Sequence, residues 1–137
     1  MRSVIHYIII LILIILTLHL IGIFANLYEQ GIQIDIPQHI LGGIILGIIW
    51  LKVINLQFHF SLQKTVIFIS ISSFVIFVGF LWEILEFIVW QLFPNFANSF
   101  KFYSPTVQDL LSDMISNLIG GLVVAFYAIQ KNPKFLF

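Results

Sequence analysis

The stretch KTVIFISISSFVIFVGFLWEILEFIVWQL, residues Lys64 to Leu92, decides the fold class, and it also poses the functional question. It holds Phe, Ile, Val, Leu and Trp almost throughout, well beyond the ~20 residues needed to cross a ~30 Å hydrocarbon layer. A soluble strand or core helix has no use for such a run. Near its end stand two acids, Glu83 and Glu86. A charged side chain at mid-bilayer costs roughly 2.5–3.5 kcal/mol on insertion scales, so acids in such a setting point to function.

Three further runs share this character. Spans are expected at about 4–25, 38–56, 64–92 and 106–130, the third long enough to tilt or project. Short connections at 26–37, 57–63 and 94–105 leave no room for a soluble domain, so residues 1–137 read as one transmembrane domain. Composition agrees: of 137 residues, 61% are hydrophobic and 9% charged, against about a quarter charged in soluble domains. Mean hydropathy is +1.10. The expected architecture is an all-α membrane protein, a compact bundle of four transmembrane helices. The first run, about 22 residues, exceeds the 7–15 of a signal peptide, and Ile23-Phe24-Ala25 makes a poor cleavage site.

Composition also excludes. With no cysteine there is no disulfide, thiolate metal site or Cys nucleophile. Zero net charge and six scattered basic residues give no patch for nucleic acid. No motif indicates a nucleotide or organic cofactor.

Orientation follows from lysine and arginine. Arg2, Lys52, Lys64, Lys131 and Lys134 fall on one side of a four-span chain, and Lys101 alone on the other. Positive charge concentrates on the cytoplasmic side, which places both termini inside (N-in, C-in) in a cytoplasmic or inner membrane. A rise of ~1.5 Å per residue then gives depths. Glu86 lies ~9 Å and Glu83 ~13 Å from the outer end of their span, and Asp109, Asp113 and Asn117 lie ~5, ~10 and ~16 Å deep in theirs. His39 opens the second span at the same boundary, four residues after Asp35. His19 comes out ~9 Å deep and is expected to be a packed or snorkelling residue, while His6 and His59 fall on the inner side. The strong polar groups therefore share one outward layer.

Facing agrees with depth. Asp109, Asp113 and Asn117 are spaced i, i+4, i+8 on one helix face, and Gly120 and Gly121 continue near it. Gly42, Gly43 and Gly47 give the second span a small-residue surface for close backbone approach. No Lys or Arg lies in the outer half of any span, and packed carboxylates cannot all stay ionised without counter-charge. A divalent cation, protonation or access to water resolves this. Carboxylates with imidazole suit Mg, Mn, Fe or Zn, and helix-borne Glu with nearby His is the material of bundle-core metal sites. The metal-ligand candidates are Glu83, Glu86, Asp109, Asp113 and His39, with Glu83 and Asp113 also the candidates for a catalytic role. Asp35, Asn117, Trp82 and Gly120 are expected to support them.

At these residues the chain resembles a bacterial family. Trp82-Glu83-Ile84-Leu85-Glu86 resembles the Trp-Glu-x-x-Glu signature of YjdF-type membrane proteins, and Asp109-x-x-x-Asp113 followed by Gly120-Gly121 resembles their paired-Asp motif. A looser similarity connects Asp35-x-x-x-His39 and Asp113-x-x-x-Asn117-x-x-Gly120 to VanZ-like proteins. The likeness covers about residues 35–125. It departs at Ile36, where the VanZ-like pattern commonly has a basic residue, and at Ser104 to Gln108, where YjdF-type chains are richer in Gly and Asp. What the resemblance implies is an integral membrane protein with an outward polar cluster, and it supplies no reaction.

Three functional classes fit. The first is a protein whose outward acidic/His pocket binds a divalent cation or cationic ligand. The second is a metal-dependent or acid–base enzyme acting on a lipid-linked or cell-envelope substrate, and the third an accessory or structural membrane protein. Membrane lipid is the expected surrounding, and a homo-oligomer could complete so small a bundle. A proton or ion pathway would need acids through the whole thickness, and the inner half has none.

Overall fold

The computed structural model describes residues 2–57, 63–101 and 106–130. His59, Ser104, Pro105, Lys131 and Lys134 lie outside the described residues. Helix α1 spans Arg2–Phe24, α2 Asp35–Gln57, α3 Lys64–Leu92, α4 Pro94–Ser99 and α5 Val107–Gln130. No strand occurs among the described residues. Four of these helices, all but α4, are long and apolar enough to cross a membrane.

Two boundaries differ from the sequence reading in ways that matter. Helix α2 starts at Asp35 rather than at 38, because Pro37 falls in its first turn, where no backbone N–H is needed. Asp35 and His39 thus become i and i+4 neighbours on one helical face. Within the expected 94–105 loop, Pro94 starts the one-and-a-half-turn helix α4, whose Ala97 is buried while Phe96 and Phe100 stay exposed.

Helix α5 is the axis of the packing, lying against α2 most extensively and against α3 next. Its buried face carries Asp113, Ser116, Asn117, Gly120, Gly121, Val124, Ala125 and Ala128, small or polar throughout. At the α2–α5 crossing the two backbones touch. A Cβ added to Gly43 would stand 2.0 Å from the Asn117 carbonyl oxygen, and one added to Gly120 would stand 2.0 Å from that of Ile40. Such closeness substitutes for the hydrophobic effect, which gives helices little reason to associate in lipid. The two helices run parallel, with Gly47 meeting Val124 one turn further along.

Helix α3 returns antiparallel, pairing Gly79 with Asn117 and Val75 with Gly121. Every fourth residue of α3 faces inward: Ile67, Ile71, Val75, Gly79 and Glu83. The stripe is apolar until its last member, a carboxylate. The bundle therefore has two ends. One is a dry core of Leu51, Ile54, Ile67, Ile71, Val75, Val124, Ala125 and Ala128, flanked by the stacked rings of Trp50 and Phe74 with centroids 4.4 Å apart. The other end, where α1 and α3 finish and α2 and α5 begin, is polar.

Helix α1 packs on α2 and leaves most of its surface exposed, including Ile9, Ile10, Leu13, Leu16 and Leu20. An apolar exterior is what a lipid-facing helix needs. Its Thr17 hydroxyl donates to the Leu13 carbonyl at 2.7 Å and so leaves no bare donor to the hydrocarbon.

Candidate cation site at the polar end of the bundle

Asp113 occupies the centre. It sits in the second turn of α5, whose N-terminus is set by Thr106: the Thr106 hydroxyl accepts the Asp109 backbone N–H at 3.1 Å, a side-chain cap on the first turn. Asp109 lies on that first turn and Asp113 one turn deeper, only 3% exposed. From α3, Glu83 arrives at the end of the inward stripe, 4% exposed. From α2 comes His39, its Nε2 3.6 Å from Asp113 Oδ1.

Two overlapping groups result. One ligand atom each from His39, Glu83 and Asp113 lie within 4.8 Å of one another, and so do one each from Asp35, Asp109 and Asp113. Glu83 Oε1 and Asp113 Oδ1 are fully buried with no hydrogen-bond partner. Buried polar atoms are almost always satisfied, because a bare one costs ~1–3 kcal/mol and a charged one more. Two bare carboxylate oxygens in one place mark an acceptor site.

Asn117 sets the imidazole. Its Nδ2 donates to His39 Nδ1 at 3.0 Å, so the neutral ring carries its proton on Nε2, toward Asp113. Gly42 of α2 and Gly79 of α3 flank the Asn117 amide, whose atoms would lie 3.4 and 3.3 Å from a Cβ at those positions. Turning the amide over would make its oxygen accept a proton from Nδ1 and free Nε2 as a ligand. Metal-bound histidines use their second nitrogen in this way.

Glu86, grouped with Glu83 in the sequence reading, lies outside both sets. It is three residues on, rotated off the inward stripe, and its Oε1 accepts the Trp82 indole N–H at 2.7 Å. Asn117 and Gly120 sit on the buried α5 face as expected, Gly120 against Ile40 and Ile44 of α2. Ser116, also buried, went unremarked in the sequence reading, though it lies one turn from Asp113.

The residues least visible in the sequence are Tyr28 and Gln38. After α1 the chain folds back through residues 25–34, with Asn26 and Gly31 at positive φ, and brings Tyr28 against His19 and Gln38. Gln38 Nε2 donates to Tyr28 Oη at 3.0 Å and to the Ile34 carbonyl at 3.0 Å. Tyr28 Oη also meets His19 Nδ1 at 2.9 Å, which gives His19 a polar partner within the protein. Burial raises the Tyr28 pKa and the Gln38 hydrogen bond lowers it, while the Asp35 and Glu86 carboxylates push it up further, for a net rise above its usual 10.0. Lys101 Nζ lies 3.2 Å from Glu29 Oε1, tying the two connections together.

No curated protein and no solved structure matches the chain. The looser VanZ-like similarity gains no support from the family comparison. A family model described as "Predicted membrane protein (DUF2238)" matches residues 3–132. The chain therefore belongs to the DUF2238 family of predicted membrane proteins, the YjdF-type family that its Trp82-Glu83-x-x-Glu86 segment resembles.

Proposed function

We propose that this membrane protein binds a divalent cation between His39, Glu83 and Asp113, at the outward end of its helix bundle. The observation that carries the reading is the pair of buried carboxylate oxygens, Glu83 Oε1 and Asp113 Oδ1, with no hydrogen-bond partner beside an imidazole. Ligand atoms within 4.8 Å of each other need only a small convergence to hold one ion at ~2.0–2.2 Å from each. The donor set of two carboxylates and one imidazole fits Mn, Fe or Zn. No lysine or arginine occupies this end of the spans, so a cation is the counter-charge the carboxylates lack. Five of the six basic residues on the opposite side support both termini being cytoplasmic, in a cytoplasmic or inner membrane, with the site facing out.

The test is metal content and metal-dependent stability of the purified protein. Ligand at a hundredfold its Kd stabilises the native state by about 2.7 kcal/mol. Wild-type protein should retain metal and gain stability on adding Mn²⁺ or Zn²⁺, and Glu83→Gln should lose both responses. Identical metal content and stability in wild type and Glu83→Gln would reject the reading.

A further inference from the structure

We infer that the site holds two cations, bridged by Asp113, rather than one. The inference rests on the single-ion reading above and extends it to the second group, Asp35, Asp109 and Asp113. The two groups share only Asp113, and a carboxylate has two oxygens to offer two ions. Asp113 is 3% exposed and its Oδ1 has no hydrogen-bond partner, so the shared residue is itself buried and unsatisfied. Ions held by a common carboxylate stand ~3.5–4 Å apart, the spacing of two-metal sites.

Charge makes the same point. The two groups together contain four carboxylates, Asp35, Glu83, Asp109 and Asp113, and one neutral imidazole. With all four carboxylates ionised, one divalent ion leaves two negative charges at the end of an apolar bundle, whereas two ions leave none. Glu86 stands apart, its carboxylate engaged by Trp82. The two positions also differ in chemistry. His39, Glu83 and Asp113 form a mixed nitrogen–oxygen set, and Asp35, Asp109 and Asp113 an all-oxygen set that suits harder ions such as Mg²⁺ or Mn²⁺. Helices α2 and α5 each contribute to both positions, α3 to one.

Mn²⁺ fits both sets and is the probe. Titration of the purified full chain should give two Mn²⁺ per protein, with a magnetically coupled pair in the electron paramagnetic resonance spectrum. Asp109→Asn and Asp35→Asn, at half-buried positions, should each leave one ion with the spectrum of isolated Mn²⁺. His39→Gln should do the same from the other side, and Asp113→Asn should weaken both. One Mn²⁺ per wild-type chain, unaffected by Asp109→Asn, would overturn the pair and leave the single-ion reading standing. Two ions without coupling would overturn the Asp113 bridge. No Mn²⁺ binding at all would reject the pair together with the reading beneath it.

Discussion

Replacing Gly43 with alanine should damage the site without touching any ligand. The added Cβ would lie 2.0 Å from the Asn117 carbonyl oxygen and 2.8 Å from its carbonyl carbon, both backbone atoms of α5. Real Cβ contacts essentially never fall below 3.0 Å, so α5 must withdraw from α2 by roughly 1 Å. That retreat carries Asn117 from 3.0 Å to about 4 Å from His39 Nδ1, beyond hydrogen-bond reach. Overpacking costs ~1–3 kcal/mol and the lost hydrogen bond ~1 more. Exchanging Gly for Ala in a helix returns up to about 1 kcal/mol. The net expectation is a destabilisation of about 1–3 kcal/mol, together with weaker metal binding. Gly42→Ala is the control, since its Cβ would meet only the Asn117 Oδ1 at 3.4 Å, an ordinary contact. Equilibrium unfolding in mixed micelles and Mn²⁺ titration of both variants supply the assay. If Gly43→Ala matches Gly42→Ala in both measurements, the α2–α5 contact does not set the site.

The remaining predictions concern the rim of the site. Tyr28 is held above its ordinary pKa of 10.0, so folding favours the neutral phenol. Its contribution is intact below pH 10.0 and is lost as pH rises through the folded value, so stability should fall at strongly alkaline pH. The difference in phenolate absorbance between wild type and Tyr28→Phe checks the direction: ionisation below 10.0 would contradict it. At neutral pH, Tyr28→Phe should cost about 1 kcal/mol through the lost hydroxyl contacts to Gln38 and His19, measured by the same unfolding assay. The Lys101–Glu29 pair is largely exposed, so a double-mutant cycle should return less than about 1 kcal/mol and shrink with added salt.

Much of the fold was legible because lipid enforces a length rule: the four long apolar runs became helices within a few residues of where they were expected. The residues of the candidate site were legible from helical period rather than from length. Asp109, Asp113 and Asn117 repeat every fourth residue, and that period survives folding, with Asp113 and Asn117 on one buried helix face and Asp109 half-buried a turn earlier. Glu86 shows the limit of such reasoning. A spacing of three leaves a residue about 60° off its neighbour's direction, and only the inward stripe from Ile67 to Glu83 decides which acid faces the bundle. Tyr28 and Gln38 carry no periodic signal. Their contact depends on the fold-back after α1, where Asn26 takes a positive φ that few side chains adopt. Gly22 had no meaning in the sequence either, yet a Cβ there would strike the Tyr28 ring at 2.6 Å.

The parallel embrace of α2 and α5 has a consequence for biogenesis. The chain is made in order, so His39 and Glu83 are delivered with α2 and α3 before the ribosome has completed α5, which brings Asp113 and the small residues that close the bundle. Until then Glu83 has no partner from the last helix, and the glycine surface of α2 has nothing to grip. The final span is thus both keystone and source of Asp113. A chain stalled or cut before it would leave Glu83 in the bilayer without the helix that buries it, at the cost an unpartnered acid carries there.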